Sequence, residues 1–318
     1  MPLLKSSYNP PLFFKSGHAS TVYSGLFRKV NGIKQERERI TLSDGDFLDL
    51  DWSYTAGGSE SLVILLHGLE GNAQRPYMLG SAKLFNSQAY DVVCVNFRNC
   101  SETPNTKYRS YHSGATEDLH EVIEHVINSR RYSNIYIVGV SLGGNMTLKY
   151  LGEQSTPNEI KGAVAISVPC SLYHSMLELH KFENILYAKR FKNHLLQKLR
   201  QKQEQFPDLI SDKEIASIKT LKDFDDVYTS RAHGFKDALD YYEKSSSLTF
   251  IPEIKTPTLI LNATDDSFLS PECFPIQEAE ENDSVFLEMP RYGGHVGFYD
   301  KDGIFYNEKR SLEFIKNV

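Results

Sequence analysis

A serine, a pair of aspartates and a histidine follow one another along this chain in an order and in settings that could carry acyl transfer. A serine hydroxyl is a weak nucleophile until an imidazole takes its proton and a carboxylate orients that imidazole. Ser141 lies in Gly139-Val140-Ser141-Leu142-Gly143-Gly144, after the apolar run Ile135–Val138 and before a helix-like stretch from Asn145 to Glu153. Gly-x-Ser-x-Gly at such a junction predicts a sharp strand-to-helix turn that exposes the serine Oγ. Residues 139 and 143 must be small there, because a Cβ would meet the crossing chain. The helix start behind Ser141 aims free N–H groups at the place where an oxyanion would form. The candidate acid ends the run Thr258–Thr264, at Asp265-Asp266. Asp266 is preferred, and Asp265 then caps or holds the turn. The candidate base is His295 in Tyr292-Gly293-Gly294-His295, beyond Val285-Phe286-Leu287. A second oxyanion donor is expected from His67-Gly68-Leu69-Glu70-Gly71, whose glycines let backbone approach a substrate. The expected pair is the N–H of Leu69 and that of Leu142. His67 reads as structural, and Glu70 could touch substrate although holding its own loop is the simpler role.

Positioning these groups requires a sheet. Alternating residues over 38–42 and 47–52 predict an antiparallel hairpin turned at Ser43-Asp44-Gly45. Continuous apolar runs at 62–66, 92–95, 135–138, 163–168, 258–261 and 285–287 are those of strands buried on both faces. With the hairpin they make eight strands. Helix-like stretches at Pro76–Gln88, Thr116–Arg130 and Leu142–Glu153 alternate with them, and others follow near 271–281 and 304–316. The expected class is therefore α/β, a mostly parallel eight-stranded sheet with helices on both faces. The alternation lapses between about Ser171 and Ser247, too long for a plain loop. A helical cap inserted after the sixth strand is the natural reading. Its clearest helix is 183–205, with Ile185, Ala188, Phe191, Leu195, Leu196 and Leu199 on one face. The expected division is an N-terminal arm (1–34) packed on the core, a core (35–170 and 248–318) and the cap (171–247). Leu172, Met176 and Leu177 are expected to wall the substrate pocket, with His233 and Phe235 as further pocket candidates. His112 is expected to set the start of the helix that follows it. Lys189, Arg190, Lys192, Lys198, Arg200 and Lys202 read as an ordinary solvated helix surface rather than a membrane-facing one.

The bulk numbers narrow the class. The chain has 318 residues, 40% of them hydrophobic, and a net charge of −6, which suits one large globular unit and gives no reason to expect nucleic acid as a partner. Cys94, Cys100, Cys170 and Cys273 lack zinc-like or Cys-x-x-Cys spacing and read as reduced. No apolar stretch reaches the length of a membrane span, and the prolines at 2, 10 and 11 break up any signal-like segment. The expectation is a cytoplasmic protein without stable membrane insertion, acting on a small-molecule or lipid ester without metal or organic cofactor.

Further residues narrow the kinship. Gly17-His18 through Tyr23, Leu26-Phe27-Arg28, His67 to Gly71 with Pro76-Tyr77, Asn96-Phe97-Arg98, Tyr111 to Leu119, Ser141-Leu142-Gly143-Gly144-Asn145, Phe224-Asp225-Asp226, His233-Gly234-Phe235, Asn262 to Phe268 and Gly293 to Phe298 span nearly the whole chain. Together they resemble the YheT-like branch of the α/β-hydrolases, which also holds an animal lipid-hydrolase group and yeast ethanol acyltransferases. The resemblance implies a serine ester hydrolase (a carboxylesterase or lipase) with its triad on Ser141, Asp266 and His295. Acyl transfer to an alcohol through the same residues is the alternative, and a non-catalytic binding protein on this fold a distant third. Short- to medium-chain acyl esters are the expected substrates. The chain departs from the family pattern at Ala19-Ser20-Thr21, at Ser267 and at Asn99 and Glu102. The membrane address of the animal members is not expected to transfer.

Overall fold

A computed structural model describes residues 3–129, 132–153 and 155–318. Its centre is a single sheet of nine strands: β1 (Leu3–Leu4), β2 (Glu36–Thr41), β3 (Phe47–Ser53), β4 (Ser61–Leu66), β5 (Asp91–Asn96), β6 (Asn134–Val140), β7 (Ile160–Ile166), β8 (Thr258–Leu261) and β9 (Val285–Glu288). The spatial order is β1-β9-β8-β7-β6-β4-β5-β3-β2. Every pairing is parallel except β3 with β5 and β2 with β3. The expected count of eight strands is short by one. Leu3 and Leu4 pair with Leu287 and Glu288 at the sheet edge, and two residues are too few to show a period.

The side-chain period of two divides the core into two layers. Leu62, Ile64 and Leu66 of β4 join one cluster with Leu119, Val122, Ile123 and Val126 of the helix Thr116–Ser129. Val63 and Leu65 join the other, with Met78, Ala82 and Phe85 of the helix Pro76–Ser87 and Phe314 and Ile315 of the helix Tyr306–Lys316. The expected helix 116–130 ends one residue beyond the described part. All four cysteines are buried and free. Among the described residues no helix is long and apolar enough to cross a membrane.

Strand order decides where a site can form. β4 pairs with β5 on one side and β6 on the other, so the chain reverses direction across the sheet between them. The carboxyl ends of β4 and β6 open a crevice at that switch point, and the segments holding Leu69 and Ser141 leave from there. Between β7 and β8 runs a helical cap, with helices at Leu172–Leu179, Ile185–Gln205, Asp212–Ser217 and Ala238–Ser245. It has its own small cores, one built on Leu199, Ile210, Ile215, Ile218, Phe224 and Tyr228. The long cap helix departs from the expected inward face at its start: Ile185 is exposed, as are Leu186 and the preceding Phe182.

Candidate active site

The turn after β6 places Ser141 at φ 54°, the left-handed region that β-carbon-bearing residues rarely occupy. Its close packing explains the neighbouring residue types. A Cβ on Gly139 would stand 2.3 Å from the carbonyl oxygen of Gly143, and one on Gly143 would stand 2.6 Å from that of Leu66. The loop after β4 comes just as near, since a Cβ on Gly68 would lie 3.1 Å from the Ser141 Cβ.

His295 Nε2 lies 2.9 Å from Ser141 Oγ, and its Nδ1 lies 2.8 Å from Asp266 Oδ2. Three loops from the ends of β6, β8 and β9 thus bring together the residues expected to form a triad. Asp266 is buried and accepts a second bond, from the Phe268 N–H to Oδ1, which fixes the carboxylate plane. Asp265 acts elsewhere. Its Oδ1 accepts the Gly294 N–H at 2.8 Å and so ties the acid loop to the histidine loop. Burial pushes the Asp265 carboxyl up from its ordinary range.

The remaining supports of His295 lie far away in sequence. Its own N–H donates to Thr21 Oγ1 at 2.8 Å, and Thr21 in turn donates to the Gly17 carbonyl. Val296, at φ 60°, is held on both sides: Ser167 Oγ accepts its N–H and Ser24 Oγ donates to its carbonyl. The Phe268 ring lies 4.4 Å from the imidazole. The N-terminal arm therefore forms part of the wall behind the histidine. The resemblance over Gly17–Tyr23 includes Thr21, but nothing local in the sequence gives its partner, and nothing marks Ser24.

The N–H groups of Leu69 and Leu142 have no acceptor among the described residues, and both residues line the cleft beside Ser141. His67 beneath them is fully buried, with Nδ1 donating to the Gly68 carbonyl and Nε2 accepting the Phe97 N–H. Burial lowers it to about 3, so it is a neutral brace. Glu70 stands at φ 54° and both lines the cleft and holds its loop. Its N–H donates to the Tyr111 hydroxyl, which donates back to Glu70 Oε1 at 2.7 Å. Lys198 from the cap reaches the same oxygen at 2.9 Å, and Arg75 donates to the Glu70 carbonyl.

Lys198 and Lys202 correct the reading of the cap helix as plainly solvated. Lys202 is buried and donates to the carbonyls of Asn105 and Lys107, and burial lowers it to about 8. Both follow the inward residues Leu195 and Leu199 by three positions, so the helical period turns them to the core.

The cleft around Ser141 holds about 290 Å³. Leu172 and Met176 line it, together with Leu179, Phe191, Leu195 and Phe224 from the cap. Leu177 does not: it sits one position round the helix Leu172–Leu179 and is exposed. His233 and Phe235 also stand back from the cleft. The His233 ring packs 4.4 Å from His112, and Phe235 packs on Tyr241, so they support the wall from behind. His112 does line the cleft, and its Nδ1 accepts the Gly114 N–H just before the helix that starts at Thr116. Asp225, half-buried at the cap side of the cleft, accepts the hydroxyls of Tyr242 and Thr229, and loss of solvent raises it to about 6.

Comparison with known proteins agrees with this geometry. Residues 61–302 match the family model of the alpha/beta hydrolase fold. The chain is 31% identical to YheT of Escherichia coli (strain K12) over 297 residues, covering 92% of this chain and 87% of that one. It is 27% identical to the phospholipase ABHD3 of Homo sapiens, over 94% of this chain and 75% of the relative. It is 29% identical to the monoacylglycerol lipase of Saccharomyces cerevisiae (strain ATCC 204508 / S288c), over 81% of this chain and 59% of that one. Among solved structures, the Pyrococcus furiosus esterase Pf2001 superposes with a TM-score of 0.59 at 18% identity, over 98% of this chain and 97% of that one, a likeness of fold. The chain belongs to the α/β-hydrolase family, in its YheT-like branch, and is a hydrolase of that fold.

Proposed function

We propose that this protein is a serine ester hydrolase acting on short- to medium-chain acyl esters, with Ser141 as nucleophile, His295 as base and Asp266 as its orienting acid. The observation that carries the reading is the unbroken hydrogen-bonded line from Ser141 Oγ through His295 to Asp266, at 2.9 and 2.8 Å. Along it, Oγ attacks the ester carbonyl as Nε2 takes the hydroxyl proton. Asp266 holds Nδ1–H and so keeps Nε2 free to accept. The negative charge that develops on the carbonyl oxygen meets the N–H groups of Leu69 and Leu142, already fixed in place. The imidazolium then returns its proton to the departing alcohol, and water, activated by the same histidine, releases the acyl group.

The substrate class rests on the cleft and on kinship. A volume of about 290 Å³ falls just under the ~300–1,000 Å³ of small-ligand sites, and its cap wall is largely apolar. Relatives named as a monoacylglycerol lipase and a phospholipase make acylglycerol-type esters the natural candidates.

The test is hydrolysis of a series of p-nitrophenyl esters by the wild type and Ser141→Ala, with and without an added alcohol. Turnover should peak at short to medium acyl length and fall by ~10⁴ or more in the variant. Acyl release mainly as a new ester would assign the acceptor to an alcohol instead of water. Equal turnover by the variant would contradict the reading.

A further inference from the structure

The most exposed large apolar side chains fall in segments that also supply the cleft. Among the described residues the five most exposed large ones are Phe182 (92%), Leu12 (85%), Leu186 (78%), Phe13 (71%) and Phe27 (64%). All five fall in two segments, the N-terminal arm and residues 182–186, which lead into the long cap helix. These segments meet: the His18 ring lies parallel to that of Tyr187 at 5.9 Å, with Nδ1 3.3 Å from the tyrosine hydroxyl. Each segment also supplies the cleft, through Leu26 from the arm and Tyr187 and Arg190 from the cap. Apolar surface of this kind contributes nothing to the core, and soluble chains expose little of it outside sites of contact.

Charge is distributed in the same way. The first 35 residues hold Lys5, Lys15, Arg28, Lys29 and Lys34 and no Asp or Glu, in a chain whose net charge is −6. Arg28 is spent on a buried pair with Glu308 and Lys34 pairs with Glu36, which leaves Lys5, Lys15 and Lys29. Residues 181–192 carry three Lys or Arg (Lys189, Arg190 and Lys192) beyond Lys181, which pairs with Glu178, against one acid, Glu183. Lys189 and Arg190 are exposed and pair with no carboxylate among the described residues. An apolar rim set among cations fits an anionic lipid surface, which gains from both burial of the apolar groups and attraction to the headgroups. A second copy of the chain fits poorly, since a twofold contact would set the same positive segments against each other.

We propose that the rim formed by the arm and the start of the cap helix is an interfacial docking surface, by which the protein adsorbs to an anionic lipid bilayer with its cleft opening toward the lipid. The protein lies on the bilayer and does not span it. The proposal deepens the ester-hydrolase reading and rests on it for what the docked cleft would do, whereas docking itself is measured without turnover.

The test uses the full chain carrying Ser141→Ala, floated with vesicles of phosphatidylcholine alone or mixed with phosphatidylglycerol. Binding to the mixed vesicles should be at least about tenfold tighter, and adding Phe182→Ser and Leu186→Ser should weaken it by at least about tenfold. Lys15→Glu with Lys189→Glu, which leaves the apolar side chains in place, should weaken it as well. In the active background, Phe182→Ser/Leu186→Ser should stay within about twofold of wild type on a water-soluble p-nitrophenyl ester and lose about tenfold on the same acyl ester embedded in mixed vesicles. The proposal is overturned if the Ser141→Ala chain does not float with mixed vesicles, or if the Phe182/Leu186 variant floats as well as its parent. It is equally overturned if light scattering finds a dimer that those two substitutions dissolve, which would give the face to a second copy. Loss of ester turnover in the soluble assay of the wild type would instead strike the hydrolase reading and leave the flotation result standing.

Discussion

Asp265 and Asp266 are adjacent and chemically identical, yet the fold divides their work. Asp266 Oδ2 faces His295 Nδ1, while Asp265 Oδ1 accepts a backbone N–H from Gly294. Asp266→Asn should therefore cost about 10⁴ in rate, because an amide favours the wrong imidazole tautomer. Asp265→Asn should cost far less, since an amide oxygen still accepts the Gly294 N–H. Purified variants compared side by side on one ester check this, and the reverse ranking would contradict the assignment. At this scale the sequence is informative about groups that must follow particular strand ends, which is why Ser141, Asp266 and His295 are legible. Thr21 is not legible: its bond to His295 spans 274 residues, and a threonine in a short helix carries no mark of such a partner.

At the scale of elements, the cap supplies much of the wall of the cleft around Ser141. Leu172, Met176 and Leu179 of one short helix line the cleft. Each methylene that meets such a wall stabilises the bound acyl group by roughly 0.8 kcal/mol, a few-fold in kcat/KM per carbon until the pocket fills. Trimming these three to alanine should move the preferred acyl length upward, whereas Leu177→Ala should leave the profile unchanged. kcat/KM measured across acyl lengths tests both, and an unchanged profile in the triple variant would place the acyl chain elsewhere. The helical period made the cap legible as helices, but a period alone does not separate the cleft-lining side of a short amphipathic helix from its flank. That is where the expectation for Leu177 failed. The long helix shows the converse, because Lys198 shares the inward stripe of Leu195 and Leu199 and finds a carboxylate there, on the loop of Leu69, the proposed oxyanion donor. A charge on an apolar stripe is read as solvated until its partner, 128 residues away, is known.

For the whole molecule, the buried strands were legible because continuous apolar runs have few other uses. β1 was not, since its two residues gain their meaning only from β9. The folded chain also carries a pH dependence that no single segment reveals. Burial lowers His67 and His112 to about 3 and His233 to about 2. Each stays neutral when folded but takes up a proton when unfolded below about 6.5, so its contribution is complete above that pH and drains away as pH falls toward 3. Asp225, raised to about 6, acts oppositely: its contribution is complete below the ordinary carboxyl value and is lost as pH rises through 6. Asp118, Asp265 and Glu308 are raised by burial as well and act with Asp225, but the three imidazoles, each lowered far below its ordinary value, outweigh them. Stability should fall on going from pH 7 to pH 5. Thermal unfolding across that range checks the sign, and a Tm that holds level or rises would contradict it. The central claim is that one serine, Ser141, is the activated nucleophile, and intact-mass measurement after exposure to a fluorophosphonate tests it most directly. The wild type should gain the mass of one adduct, located on the peptide that carries Ser141, and Ser141→Ala should gain none. An unmodified wild type, or an adduct that persists in the alanine variant, would contradict the account.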